Sequence, residues 1–149
     1  MAFTYTFQKI LNMKEKEKEQ AQMDYSKSVQ LLQKEQQRLV SLEKNKQEME
    51  RRIMQQGKNI SLAELKINYE YIGHLQRLII QANESKAQAE KEVEAKQFIL
   101  SERAIEHKVW EKLKDHVFER YKAETRQAEQ KELDEMAVAR YYRQKVNPR

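Results

Sequence analysis

Between residues 1 and 147 this chain has one place where a helix is told to stop and another told to start. Gln55-Gln56-Gly57-Lys58-Asn59-Ile60-Ser61-Leu62-Ala63-Glu64 contains Gly57, one of only two glycines. A glycine just past a helix end accepts the left-handed conformation that closes the last turn. Ser61-Leu62-Ala63-Glu64 then has the form of a capping box. The Ser61 hydroxyl can accept from the Glu64 N–H, and the Glu64 carboxylate can accept from the Ser61 N–H. A stop followed at once by a start predicts an αα-hairpin turn over residues 57–61.

The rest of the composition agrees. Charged residues make up 36% of the 149, and the only proline is Pro148. A compact domain needs several turns, built from Gly, Pro, Asn and Asp, and this chain has the material for one. The expected fold is all-α: two long helices forming an antiparallel coiled-coil hairpin, with the second helix longer and overhanging. The chain reads as a single hairpin over 1–149: helix 5–56, turn 57–61, helix 62–144 and a short basic tail 145–149.

In the first helix, alternating steps of four and three select Phe7, Leu11, Lys14, Lys18, Ala21, Tyr25, Ser28, Leu32, Glu35, Leu39, Leu42, Lys46, Met49 and Ile53. This is a heptad seam with polar faults. In the second helix the same rhythm selects Leu65, Tyr69, Ile72, Leu75, Ile79, Ala82, Lys86, Ala89 and Val93, and continues through Trp110, Val117 and Tyr121 to Val138 and Tyr142. Folding about Lys58 sets Phe7 beside Trp110. At ~1.5 Å per residue the residues beyond Trp110 form an overhang of roughly 50 Å without an intramolecular partner. Antiparallel register also sets Lys14 near Arg103, so like charges are expected to repel and the end bearing the termini to fray. Gly73 lies inside the second helix, where it is either simply tolerated or allows a partner to approach closely.

A second stripe, Ile67, Tyr71, His74 and Leu78, lies off the seam next to the turn. Either the two helices roll to share both stripes, or the second is a contact surface near the tip.

Catalytic patterns are missing. There is no phosphate loop, nucleophile elbow or zinc-protease helix, and no cysteine. His74, His107 and His116 read as helix-surface residues, and a two-helix structure offers little pocket in which to shift a carboxylate pKa. An enzyme, a cofactor and a metal are not expected. The net charge of +5 comes from interspersed charges of both signs, which disfavours nucleic acid as a partner. Only after Glu135 is the charge one-sided, with Arg140, Arg143, Lys145 and Arg149. No run of ~20 apolar residues exists to span a membrane, and Met1–Phe7 lacks the basic start and apolar run of a secretion signal. The expected location is cytoplasmic.

Three blocks carry a resemblance. Phe7-Gln8-Lys9-Ile10-Leu11 opens the first helix. Ile67-Asn68-Tyr69-Glu70-Tyr71-Ile72 follows the turn. Glu129-Gln130-Lys131-Glu132-Leu133-Asp134-Glu135-Met136-Ala137, with Arg140, lies near the C-terminus. With the chain length and the position of the turn, these resemble the flagellar FliJ family of the low-GC Gram-positive type. The resemblance implies a cytoplasmic component of the flagellar type III export apparatus, held at the membrane face only through that apparatus. It also implies a coiled coil similar to the central stalk of rotary ATPases. Its open, termini-bearing end would enter the hexameric ring of the export ATPase and promote ring assembly. Its tip would contact the export gate protein FlhA, and export chaperones are further partners in the family.

Carried over by residue, the tip contact set falls on Leu42, Met49, Ile72 and Ile79, positions that the seam also claims. With the second stripe and its neighbours, the candidate gate surface is Leu42, Met49, Ile67, Asn68, Tyr69, Tyr71, Ile72, His74, Leu78 and Ile79. The candidate ATPase surface is Phe7, Leu11, Leu133, Met136 and Arg140. Two other roles compete with the stalk: an export chaperone that binds export substrates, and a coiled-coil scaffold that dimerises through the overhang.

Overall fold

The computed structural model describes residues 2–146. Met1 and residues 147–149 lie outside that range, and with them Pro148 and most of the expected basic tail. Two helices make up the fold, α1 (Gln8–Gln56, 49 residues) and α2 (Leu62–Val146, 85 residues), joined by a short 3-10 turn at Gly57–Asn59. No strand occurs among the described residues.

The turn is built as its residues dictate. Gly57 takes φ +55°, a left-handed conformation that any side chain would strain. Ile60 is extended and delivers the chain to Ser61. The Glu64 N–H donates to the Ser61 hydroxyl at 3.2 Å, and the Leu65 N–H donates to the Ser61 carbonyl at 2.9 Å. Ser61 is therefore the N-cap of α2. Ile60 and Leu65, both half-buried, occupy the two positions of a hydrophobic staple.

At the other end, α1 starts at Gln8, three residues later than expected from Tyr5. The reason is packing. Tyr5 is buried at 6% exposure and reaches that position from non-helical backbone, while its carbonyl accepts from the Gln8 N–H at 3.2 Å.

The chain divides into two compact units, residues 18–103 and the combination of the residues up to Glu17 with those from Ala104 on. In the first, α1 and α2 pair antiparallel about a narrow seam. Leu39, Ile79 and Ala82 form its buried cluster, with Leu42 packed against them. Ala21, Ser28, Leu75 and Ala89 are buried as well. The small side chains matter here: Ala82 is wholly inaccessible, so the opposing helix lies close against it. The Ser28 hydroxyl is satisfied by donating to the Tyr25 carbonyl at 2.6 Å. At the seam's edge Lys46 donates to Gln76 across the pair.

In the second unit the pairing is again antiparallel, and Phe7 meets Trp110 as the register requires, with ring centroids 5.8 Å apart. Two expectations fail in this unit. Lys14 does not face a like charge; its ammonium donates to Glu106 at 3.2 Å and sits 3.5 Å from Glu17. The end bearing the N-terminus is clamped rather than frayed. The segment before α1 lays Phe3 against Phe118 and Tyr121, at 4.9 and 5.2 Å, and Tyr5 edge-on to Phe7 at 5.9 Å. Lys122 adds its ammonium over the Phe118 ring at 4.5 Å, a cation–π contact. The unpartnered part of α2 therefore starts after Tyr121 rather than after Trp110.

Gly73 is a helical glycine with open space around it: a Cβ there would meet nothing within 4 Å. Gly73→Ala is expected to raise unfolding stability by about 1 kcal/mol, the helix-propensity difference alone. Gly57→Ala is expected to lower it by about 1 kcal/mol, because alanine must take the left-handed conformation. Urea unfolding followed by circular dichroism measures both, and equal signs would contradict this reading of the two glycines.

Candidate partner-binding surfaces

Near the turn, the structure separates the candidate residues into two sets. Ile79 is buried at 7% exposure, and Leu42, Met49, Ile72 and Asn68 are half-buried positions of the seam. Ile79 spends its apolar surface on Leu39 and Ala82, and the half-buried four keep only part of theirs open. Tyr69, expected in the seam, is exposed, and Asn68 takes its place. The step from Leu65 is three, which puts residue 68 inward and swings residue 69 out.

The second stripe is real surface. Ile67 (64% exposed) and Tyr71 (43%) stand open, His74 is exposed, and Leu78 is half-buried at the stripe's end. The helices have not rolled to share it. Tyr69, Met54 and Leu62 are also exposed nearby, so α2 just after the turn offers an apolar band flanked by polar residues. Exposed apolar bands of this kind are enriched at contact surfaces in general.

The second candidate set also divides. Leu11 is buried at 6% in the helix pair and is withdrawn from any surface. Phe7 is partly exposed but committed on one face to Trp110 and Tyr5. Leu133, Met136 and Arg140 are exposed on one face of α2, at steps of three and four. Trp110, which holds Phe7, precedes Leu133 by roughly 35 Å of helical rise. Phe7 and Leu133 therefore belong to different surfaces, a clamp and an extension.

The extension is the most unusual part of the molecule. Every residue from 122 to 146 is exposed. Leu133, Met136, Val138, Tyr141, Tyr142 and Val146 are each open to more than half their extent. At about 100° per residue they are not a stripe: Met136, Leu133, Tyr141, Val138, Tyr142 and Val146 follow one another around the full circumference of the helix. Asp134, Glu135, Arg140, Arg143, Gln144 and Lys145 are interleaved with them, so apolar side chains stand on every side without any one side being wholly apolar.

The aromatic clamp does not follow helical spacing. Its signal is Phe3-Thr4-Tyr5-Thr6-Phe7, an aromatic at every second residue, the period of extended backbone that turns alternate side chains to one face.

The family model of the flagellar FliJ protein matches residues 3–146. The chain belongs to the flagellar FliJ family. A flagellar FliJ protein of Bacillus subtilis (strain 168) is 28% identical over 142 residues, which cover 95% of this chain and 97% of the relative. No solved structure matches the chain. Membership places this FliJ-family chain in flagellar biogenesis and export. No described helix is long and apolar enough to cross a membrane.

Two outcomes test the clamp. Its hydrogen bond to Glu106, with the charges of Glu106 and Glu17 in support and against some desolvation, holds the Lys14 ammonium above its ordinary pKa of 10.5. A raised lysine contributes stability that is complete below the ordinary value and lost as pH rises through the raised one. Melting temperature should fall faster above about pH 10.5 in the native protein than in Lys14→Met; identical profiles would remove the pair from the account. Phe3→Ala should cost about 1–2 kcal/mol, from the loss of two ring contacts and part of a buried side chain. It should also speed amide exchange at Gln8, which hydrogen-exchange mass spectrometry reads directly.

Proposed function

We propose that this chain is a non-catalytic stalk of the flagellar type III export apparatus. Its free α2 extension enters the ring of the export ATPase and promotes assembly of that ring. Its turn-proximal band docks on the export gate protein FlhA, linking ring to gate at the cytoplasmic face of the membrane.

The observation that carries the reading is that large apolar side chains, interleaved with charged ones, stand exposed on every side of residues 133–146. A flat partner or a second helix covers one face and leaves the others wet. A bore lined by several subunits covers all of them. The lone extension costs little to keep helical while free: Glu124, Glu129, Glu132, Asp134 and Glu135 alternate with Lys122, Arg126 and Lys131, and Gln130 donates to Asp134 at 3.0 Å. Such i,i+3 and i,i+4 contacts are each worth a few tenths of a kcal/mol, about 0.2–0.5. The exposed stripe of Ile67, Tyr71 and His74 supports the second contact at the turn. Ring insertion uses Leu133, Met136 and Arg140, and the gate contact uses Ile67, Tyr69 and Tyr71. Leu42, Met49, Ile72 and Ile79 support the gate contact from beneath by fixing the face that α2 presents.

The test is light scattering at low micromolar concentration, with the chain alone and mixed with the cognate export ATPase and a nucleotide analogue. The expected result is a monomer alone, and in the mixture a sixfold ring carrying one copy. Leu133→Glu with Met136→Glu should weaken ring capture by about a hundredfold or more, because two charges are buried without partners. Ile67→Glu with Tyr71→Ala should leave ring capture intact and abolish FlhA binding. A chain that binds export substrates but leaves the ATPase unassembled would replace the stalk with a chaperone.

A further inference from the structure

The side of α1 that faces away from the seam sorts its charges. From Ala21 to Ile53 the seam keeps the four-three rhythm, so a residue at a fixed place in that repeat stays on a fixed side of the helix. The three places of each seven farthest from the seam run from Met23 to Gln55, and all fifteen residues there are exposed. They include four cations, Lys27, Lys34, Lys44 and Arg51, and one acid, Glu48. The cations form two pairs, each seven residues or about 10.5 Å apart. The pair Lys27 and Lys34 lies about 50° round the helix from the pair Lys44 and Arg51. Gln33, Gln37, Val40 and Lys44 border one open groove along this side, and Lys44, Gln47, Glu48 and Arg51 the next. Pairing inside the chain stops at the flanks. Arg38 reaches Glu35, Lys46 reaches Glu50, and Arg52 holds Glu48. None of the four outer cations enters an ion pair among the described residues. The outer side of α2 in the same unit differs, mixing Arg77 and Lys91 with Glu84, Glu94 and Glu102.

We propose that the outer side of α1, from Met23 to Gln55, is a docking strip for an acidic amphipathic helix of a partner protein. Charge complementarity and spacing select this occupant. A helix laid along α1 shares its seven-residue repeat. Acids seven apart on it therefore meet Lys44 and Arg51 together, or Lys27 and Lys34 together. Between the cations, Gln33, Gln37 and Gln47 can donate to carboxylates or exchange hydrogen bonds with amides. Val40 and Met54, both exposed, give the partner's apolar edge two places to rest, and an unbranched methionine adapts to what it meets. Other polyanions fit the strip less well. No aromatic lies on it for a base to stack on. Its apolar residues, Met23, Val40 and Met54, are 17 and 14 positions apart, too sparse for the apolar face that holds a helix at a lipid surface.

The cations are exposed, so each ion pair contributes little by itself and is screened by salt. The complex is therefore weak and reversible, with a Kd on the order of tens of micromolar at low salt. The strip lies on α1 and the turn-proximal band on α2, so a helix docked on the strip leaves Ile67 and Tyr71 open. This inference uses only the charges of α1 and stands whether or not the export reading does.

Fluorescence anisotropy with the full chain tests it. The probe is a labelled synthetic helical peptide of about four heptads, with Glu at every seventh position beside a strip of Leu and Ala. The native chain should bind it, and more weakly as salt rises. A peptide of the same composition with its Glu residues scattered round the helix should bind about fivefold weaker or less, since it keeps the charge and loses the register. The triple variant K34E/K44E/R51E should bind the first peptide about tenfold or more weakly and should take up its counterpart with Lys in place of Glu. Circular dichroism of the variant should match the native helix content. A native chain that ignores the first peptide up to several hundred micromolar, or binds the scattered one equally well, overturns the proposal. So does a triple variant that binds as the native chain does, or that refuses the Lys peptide. Tighter binding to an oligouridine or to phosphatidylglycerol vesicles than to the first peptide also overturns it, and assigns the strip to nucleic acid or to lipid. None of these results bears on ATPase capture.

Discussion

An α-helix in water has to hide its apolar side, and a helix pair can hide only one stripe of each partner. That constraint governs this molecule more than any single contact. The chain turns once, so each helix has one partner and one seam. Where the seam is filled by Leu39, Ile79 and a wholly enclosed Ala82, the pair closes tightly. Where apolar residues exceed what one seam can cover, they stay exposed. Val40, Ile80, Phe98 and Ile105 do so along the pair, and the surplus is densest in the band of Ile67 and Tyr71 beside the turn and along the extension after Tyr121. Both surplus surfaces follow from the same arithmetic of faces, and both are where partners are assigned.

The unequal lengths of α1 and α2 create the extension, and the segment before α1 decides where it begins. Gln8 starts the helix, but Phe3, Tyr5 and Phe7 precede or join it as an aromatic ladder that reaches Phe118 and Tyr121. Aromatic rings suit this task. Each covers a large area with few rotatable bonds, so a short non-helical stretch can hold a helix without a partner helix. The clamp and the Lys14–Glu106 pair close the helix pair just before it would run out of partner.

The turn and the seam were legible because they rest on local chemistry. Gly57 has the positive φ that its position demanded, Ser61 caps α2, and the four-three rhythm picked out Leu11, Ala21, Ser28, Leu39, Leu75, Ile79, Ala82 and Ala89, all buried. The same rhythm misplaced Tyr69, where one step of three instead of four exchanges a buried residue for an exposed one. It also missed the clamp, whose period is two. The candidate sites were less legible than the fold. A family contact set names positions, whereas burial depends on how the helices are rolled. Leu42, Met49, Ile72 and Ile79 could be sorted from Ile67, Tyr69 and Tyr71 only with the pairing in hand. Lys14 differs for a related reason: register names the nearest position, but a long flexible cation selects the nearest opposite charge, here Glu106.

Apolar side chains exposed all round the extension pose a solubility problem for the free chain, and the order of the sequence answers it. Between residues 133 and 146 they are interleaved with Asp134, Glu135, Arg140, Arg143, Gln144 and Lys145, and the turns before them alternate Glu124, Glu129 and Glu132 with Arg126 and Lys131, which keeps the helix formed and hydrated at low concentration. Because charge of both signs recurs around the whole circumference, no one face is apolar enough to bury against a flat surface. Whatever removes this apolar surface from water has to meet it on several sides at once.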